Sequence, residues 1–284
     1  MNYKNRLFVM LSMVVVLSGC GTFASSQNSD RLLETVNSQS TEVGNSQPLD
    51  YQDYATVLST YVNELGQVNY GQLKENRADL DRFNQSLGEV TPATYAGWTE
   101  PEQIAFWINA YNSLTLQAII DNYPVESIRK IPGVWKSLQF PVLGEPITLD
   151  DIEHKILRQE FNEPRIHMAL VCASVGCPNL LQEPYRGDTL DTQLNDNTRV
   201  FLSLDRNFSL DPDQEKVNLS SIFKWFGEDF EATYGTDNKF TEFNDKERSL
   251  LNFVSDYLDG ERLAQLQKAK KISYLDYDWS LNRQ

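Results

Sequence analysis

Residues 102–121, E-Q-I-A-F-W-I-N-A-Y-N-S-L-T-L-Q-A-I-I-D, constrain the fold of this chain more than any other stretch. At 3.6-residue spacing Ile104, Trp107, Tyr111, Leu114 and Ala118 make one helical face, and Phe106, Ile108, Leu116 and Ile120 carry apolar surface round the rest of the cylinder. A helix apolar nearly all round belongs in an interior, so other elements must wrap it. Asn109 and Asn112 lie three apart on it, and buried amides need hydrogen-bond partners. The simplest partner is the backbone of a neighbouring loop. The alternative is a direct role at a site, with Asn109 orienting an imidazole and Asn112 contacting a substrate.

The wrapping elements are legible on both sides. Upstream, Tyr51, Tyr54, Val57, Leu58, Tyr61 and Val62 share a helical face, and Leu73, Leu80, Phe83 and Leu87 follow in a second helical stretch. Downstream, residues 138–142 and 146–148 read as the strands of a hairpin. Thr148, with Asp151 three residues on, approximates a capping box for a helix. On that helix His154 and Arg158 lie together, while Glu153 points about 100° away from His154 by the 3.6-residue period. Residues 188–204, 221–225, 246–257 and 261–270 have helical patterns, and 217–219 and 272–275 read as short strands. Nothing with linker composition interrupts residues 51–284. The expected fold is therefore a single α+β domain, mainly helical, with a small central β-sheet. Strand 272–275 should pair in that sheet, and Trp279 should pack on the preceding helices.

The N-terminus carries an address. Lys4 and Arg6 precede the apolar run 7–17, which is too short to span a bilayer comfortably, and L-S-G-C follows at 17–20. That ending resembles the lipobox of bacterial lipoproteins. The resemblance implies cleavage after residue 19 and diacylglycerol on Cys20, a membrane-lipid anchor held by several acyl chains. Gly21 stands where an aspartate would resemble an inner-membrane retention signal, so the outer membrane, facing the periplasm, is the expected location. Residues 20–50 are rich in Ser, Asn, Gln and Thr and read as a flexible tether. The chain has 40 acidic against 25 basic residues, a formal charge of −15, and loss of Lys4 and Arg6 would make it more acidic still. Such a surface repels phosphate backbones, which excludes nucleic-acid binding.

Reactive side chains are few: two histidines and three cysteines. His167, Cys172 and Cys177 fall in P-R-I-H-M-A-L-V-C-A-S-V-G-C-P at 164–178, and His154 in L-D-D-I-E-H-K-I-L-R at 149–158. As a strand, 165–172 would hold His167 and Cys172 on opposite faces, about 17 Å apart at roughly 3.3 Å per residue. As a helix it would turn them about 140° from each other. Only a bend, or the approach of His154, would bring an imidazole to a sulfur. Cys177 before Pro178 reads as the N-cap of a helix, where the helix dipole would favour a thiolate. A disulfide between Cys172 and Cys177 is the competing reading in an oxidising compartment. Arg158 and Arg165 either pair with carboxylates or hold a substrate carboxylate.

Together F-W-I-N-A-Y-N (106–112), the two histidine motifs and the terminal Y-D-W-S-L-N (277–282) resemble the domain of unknown function 547 family over most of residues 51–284. The resemblance implies a shared fold with signature residues Asn109, Asn112, His154, Arg158, Arg165, His167, Cys172 and Cys177, and no established reaction. The organisation around Cys177 also resembles papain-like and transglutaminase-like enzymes. Three readings follow. The first is an envelope thiol hydrolase or transferase acting on peptide or amide bonds, with Cys177 or Cys172 as nucleophile and His154 or His167 as base. The second is a non-enzymatic lipoprotein with a structural disulfide, binding a ligand or a protein or peptide partner. The third and weakest joins the histidines and cysteines into a metal site, although C-x4-C matches no usual zinc spacing. No cofactor is expected.

Overall fold

The structure, a computed structural model, describes residues 49–284 except Asn238. The expected signal peptide, Cys20 and nearly all of the expected tether lie outside the described residues. The described residues form one compact unit.

The apolar stretch forms α5, Glu100–Asn122, with every side chain from Ile104 to Leu116 buried. Thr99 and Glu102 fix its start: the Thr99 amide and hydroxyl both donate to the Glu102 carboxylate, at 2.7 and 2.8 Å. Among the described residues four helices precede it, α1 Gln52–Tyr61, α2 Tyr70–Glu75, α3 Ala78–Glu89 and α4 Pro92–Ala96. Tyr54 of α1 stacks on Phe83 of α3, their centroids 4.7 Å apart, and both α2 and α3 pack on α5. Burying one large apolar side chain contributes about 1.5–3 kcal/mol, so α5 anchors this half of the domain. Long and apolar though α5 is, no described helix qualifies to cross a membrane.

After α5 come strands β1 Gln139–Val142 and β2 Glu145–Thr148, an antiparallel hairpin. Thr148 and Asp151 then cap each other: the Asp151 amide donates to Thr148 Oγ1 at 3.1 Å, and the Thr148 amide to Asp151 Oδ2 at 3.1 Å. The helix they start is a π-helix, Asp151–Leu157, continued by the single turn α6 Arg158–Glu160. Beyond a 3-10 turn at Pro164–Met168 lies α7 Leu190–Ser203, and then β3 Phe208–Asp211 and β4 Lys216–Leu219. Helices α8 Ser221–Phe226, α9 Glu231–Tyr234, α10 Asp245–Ser255 and α11 Gly260–Leu266 lead to β5 Lys271–Tyr274.

The domain is α+β and mainly helical, as expected. Among the described residues, however, its strands make two small sheets and no single central one: the β1–β2 hairpin and a three-stranded sheet ordered β3-β4-β5. Strand β5 joins β4 in parallel, Ile272 opposite Val217. Trp279 lies 5.8 Å from Trp225 of α8 and 6.2 Å from Trp135.

The buried apolar side chains fall into two clusters. One surrounds α1 to α5, the hairpin and the π-helix; the other lies between the three-stranded sheet, α8 and α10. Residues 164–172 run along the seam. Ile166 and Ala169 belong to the first cluster and Met168 to the second, while Tyr277 packs against both.

Candidate functional site

A cavity of about 260 Å³ opens at this seam. Cys172, Cys177, His154 and His167 all line it, together with Tyr111, Asp150, Glu153, Tyr277 and the aromatic walls Trp135, Trp225, Phe226 and Trp279.

The cysteines reach it through a tight turn. Asn112 on α5 donates to Ala169 O at 3.0 Å and accepts from the Val171 amide at 2.8 Å, which pins the chain just before Cys172. Ala173 then takes a left-handed conformation, φ +59°. Gly176 passes beneath the Tyr277 ring, where a Cβ would lie 2.8 Å from a ring carbon, so no side chain fits. The C-terminal segment clasps this turn from outside. Val175 N donates to Ser280 O, Gly176 N to Asp278 O, and Asn282 N to Ala173 O. Asn282 is held in turn by the Tyr70 hydroxyl at 2.6 Å.

Both thiols are free. The Cys172 amide donates to Cys177 Sγ at 2.9 Å. The Tyr277 hydroxyl lies 3.0 Å from Cys177 Sγ and 3.2 Å from Cys172 Sγ, and the Ser174 hydroxyl 3.3 and 3.2 Å from the same two atoms. Burial opposes ionisation of Cys177, yet hydrogen bonds from Cys172, Ser174 and Tyr277 outweigh it and bring its pKa down to about 7. Cys172, which donates to that thiolate and is itself buried, is pushed well up. The pair therefore gives up its first proton near neutrality, with the charge on Cys177. This is not the N-cap effect expected from Cys177-Pro178, since no helix begins between Cys177 and Leu190. Hydrogen bonds from side chains and from the turn's own backbone supply what the dipole was expected to.

The histidines sit on the other side of the chemistry. His167, at the 3-10 turn, stacks on Phe226 at 4.3 Å and contacts Asp229 Oδ2 through Nε2 at 2.7 Å. Burial drives its pKa down in spite of Asp229, so the ring is neutral and donates Nε2–H to the carboxylate. Its Nδ1 is left as the basic nitrogen. Asp229 resists burial through His167 and Arg158, which hold its pKa at about 2. Arg158 grips it with Nε at 2.6 Å and Nη2 at 2.9 Å. The same guanidinium donates through Nη1 to His154 Nδ1 at 3.1 Å, which leaves the His154 proton on Nε2, 3.8 Å from Asp150 Oδ1. Neither imidazole is within hydrogen-bonding reach of a sulfur among the described residues. The bend after Met168 brings His167 and Cys172 to one cavity without making them a touching pair.

Several expected roles change. Asn109 orients no imidazole: it donates to Tyr185 O at 2.8 Å and accepts from the Tyr185 amide at 3.0 Å, and so ties a loop to α5. Asn112 is engaged in the same way by the loop before Cys172, and it does not line the cavity. Arg165 is engaged by Glu163 at 2.8 Å, Asp191 at 2.7 Å and Asn195 at 2.9 Å, and it does not line the cavity. Arg158 is taken up by Asp229 and Glu228. Glu153 does share the cavity with His154, because a π-helix has more residues per turn than an α-helix and successive side chains diverge less. Withdrawal from water raises the Glu153 pKa, against the pull of His154 and Tyr111. Asp229, Ser174 and Tyr277 were not singled out by the sequence. Ser174 lies in the motif at 164–178 and Tyr277 in the one at 277–282, whereas Asp229 lies in none of the motifs. No three His, Cys, Asp or Glu side chains converge as a metal-binding group among the described residues.

The segment that carries α5, the π-helix and the cysteine turn can be compared with known families. Residues 95–202 match the family described as Protein of unknown function, DUF547. The match supports the resemblance for the first three motifs, and it stops short of Asp229 and of the terminal Y-D-W-S-L-N. No curated protein and no solved structure gives a match. The matched segment thus holds both cavity cysteines and both histidines, while Asp229 and Tyr277, which orient and tune them, come from the chain beyond it.

Proposed function

We propose that the cavity is the site of a thiol-dependent hydrolase or transferase acting on a peptide or amide carbonyl, and that the domain is carried on the cell envelope by lipid at Cys20, on the periplasmic face of the outer membrane. One observation carries the chemical part: a cysteine poised to ionise near neutrality and a histidine oriented by an aspartate line the same cavity. The location rests on the sequence of residues 1–21 alone.

In this reading Cys177 is the nucleophile and His167 the base. From the thiol form, the Cys177 proton passes to His167 Nδ1, through a water because the two do not touch. The sulfur adds to the carbonyl carbon. The imidazolium returns the proton to the departing amine as the C–N bond breaks, leaving a thioester. Water, or a second amine, then takes the acyl group and frees the thiol. Asp229 holds the imidazole in the tautomer this requires, the role expected of Asn109.

The test is acylation by a generic activated ester, followed by mass on the tryptic peptide 166–186, which contains both cysteines. One acyl group on Cys177, lost in Cys177→Ala and slowed in His167→Gln, supports the reading. Acylation no faster than in the unfolded chain would sink it. A non-enzymatic binding role is favoured by a different feature, the aromatic walls with Trp225 42% exposed. It would be preferred if a ligand bound there while both thiols stayed inert to the ester and to iodoacetamide.

A further inference from the structure

Two free thiols at one cavity have a chemistry that neither has alone. Cys172 and Cys177 share both the Tyr277 and the Ser174 hydroxyls, each within 3.3 Å of each sulfur. The sulfur of Cys177 also lies against the backbone of Cys172, 2.9 Å from its amide nitrogen. The turn that sets this apposition is built in by left-handed Ala173, by Gly176 under the Tyr277 ring, and by backbone bonds from 278–282. The hydroxyls can donate to either sulfur, so the charge can sit on one thiol while the other keeps its proton in reserve. The cavity is of small-molecule size, and both sulfurs line it.

We propose that Cys172 and Cys177 form a dithiol–disulfide exchange centre whose substrate is a small disulfide. The Cys177 thiolate attacks one sulfur of RS–SR, so that a bond forms from Cys177 Sγ to RS and the S–S bond breaks, releasing RS⁻. Cys172 gives its proton to that RS⁻ and its own thiolate attacks Cys177 Sγ, expelling the second RS⁻, which takes a proton from solvent. Two electrons leave the protein: the two thiols become one disulfide, and RS–SR becomes two RSH. The reverse run, with two RSH as reductant, restores the dithiol. This exchange needs no acyl substrate and stands apart from the proposed hydrolase or transferase reaction, which it would switch off by consuming the nucleophile.

The experiment equilibrates the full chain in oxidised and reduced glutathione at several ratios, quenches in acid, alkylates free thiols and weighs peptide 166–186. The expected product under oxidising ratios is the peptide lighter by two hydrogen atoms and unalkylated, returning to the doubly alkylated form with dithiothreitol. In Cys172→Ser the reaction should stop at one glutathione on Cys177. Two separate glutathione adducts in the native chain, or two thiols that remain alkylatable at every ratio, would overturn the proposal. The native chain alone decides this if the variant does not fold. Disulfide formation without ester acylation would remove the acyl-transfer reading only, and acylation without disulfide formation would remove this one only.

Discussion

Replacing Tyr277 by Phe removes one hydroxyl and little else. The ring still packs against Trp225 and Trp279, at 4.9 and 4.5 Å, and still covers Gly176. Burial and the neighbouring thiols hold the Tyr277 hydroxyl well above its ordinary pKa, so at neutral pH it keeps its proton and can donate it to a sulfur. A hydrogen bond donated to a thiolate favours the charged form, so its loss must raise the Cys177 pKa. Hydrogen bonds to charged groups contribute about 1.5–3 kcal/mol, and one pKa unit corresponds to about 1.4 kcal/mol. Ser174 and the Cys172 amide remain in place, 3.3 and 2.9 Å from the sulfur, and can tighten in compensation. The lower end of the range therefore applies, a rise of about one unit, taking the thiolate fraction at pH 7 from about half to about a tenth. The assay is the rate of iodoacetamide alkylation at Cys177 against pH, read on peptide 166–186 with the two cysteines separated by fragmentation. The native midpoint should lie near 7. An unchanged midpoint in a variant that melts normally would refute the account of how this thiol is tuned.

Other perturbations test the scaffold. Asn112→Ala strands the Ala169 carbonyl and the Val171 amide inside the protein; at about 1–3 kcal/mol for each unsatisfied group, chemical denaturation should show a loss of about 2–6 kcal/mol, and a loss below 1 would mean the loop finds other partners. Stability should fall with acid in two stages. His167 has a lowered pKa when folded, so the unfolded chain takes that proton first, from about pH 6.5 downward. Asp229, held at about 2, keeps its stabilising contribution above the ordinary aspartate range and loses it between about pH 4 and 2, a change on the order of 2 kcal/mol. A flat stability profile from pH 7 to 4 would contradict the first stage. Deleting residues 272–284 removes most of β5, buried Leu281 and the clasp on the cysteine turn; the melting temperature should drop sharply or soluble expression fail, and a truncated protein melting within a degree or two of the intact one would show the segment dispensable.

How far the sequence revealed this site depended on the kind of signal each residue carried. Periodicity exposed α5, the hairpin, α7, α10 and β5, since each buries one face against something larger. The amides of Asn109 and Asn112 were legible as a problem, two polar groups on a helix apolar all round, and the structure answers with the backbone at Tyr185, Ala169 and Val171. The π-helix was not legible, because hydrophobic spacing at Ile152 and Ile156 fits an α-helix equally well, and the direction of Glu153 followed that error. Asp229 could not be found at all: it sits in G-E-D-F among many acidic residues, and only the packing of α8 and the turn after it against the seam brings it to His167. Cys177 was picked out for a helix dipole that is absent, and its tuning comes instead from Cys172, Ser174 and a tyrosine 100 residues away in the chain.

The Arg158–Asp229–His167 chain has a position that stability alone does not explain. Arg158 follows the π-helix of the first cluster, Asp229 lies beside Phe230 of the second, and His167 stands between Ile166 of one and Met168 of the other. Arg158 and Asp229 keep only 17% and 18% of their side-chain surface exposed. Desolvating such a pair offsets most of its Coulombic gain, and apolar replacements of both partners are often neutral. Removing one partner leaves the other charge unpaired, at about 3–5 kcal/mol. Arg158→Met and Asp229→Leu should therefore each lower stability by about that much, while the double variant recovers most of the loss. Losses that simply add would show the two side chains to act independently. If the double variant is stable, its His167 has lost the carboxylate that holds the Nε2–H tautomer, and ester acylation at Cys177 should slow although iodoacetamide alkylation of the same thiol does not. That split would identify the ion pair as the device that aims the imidazole into the cavity, since a merely structural pair would leave both rates alone.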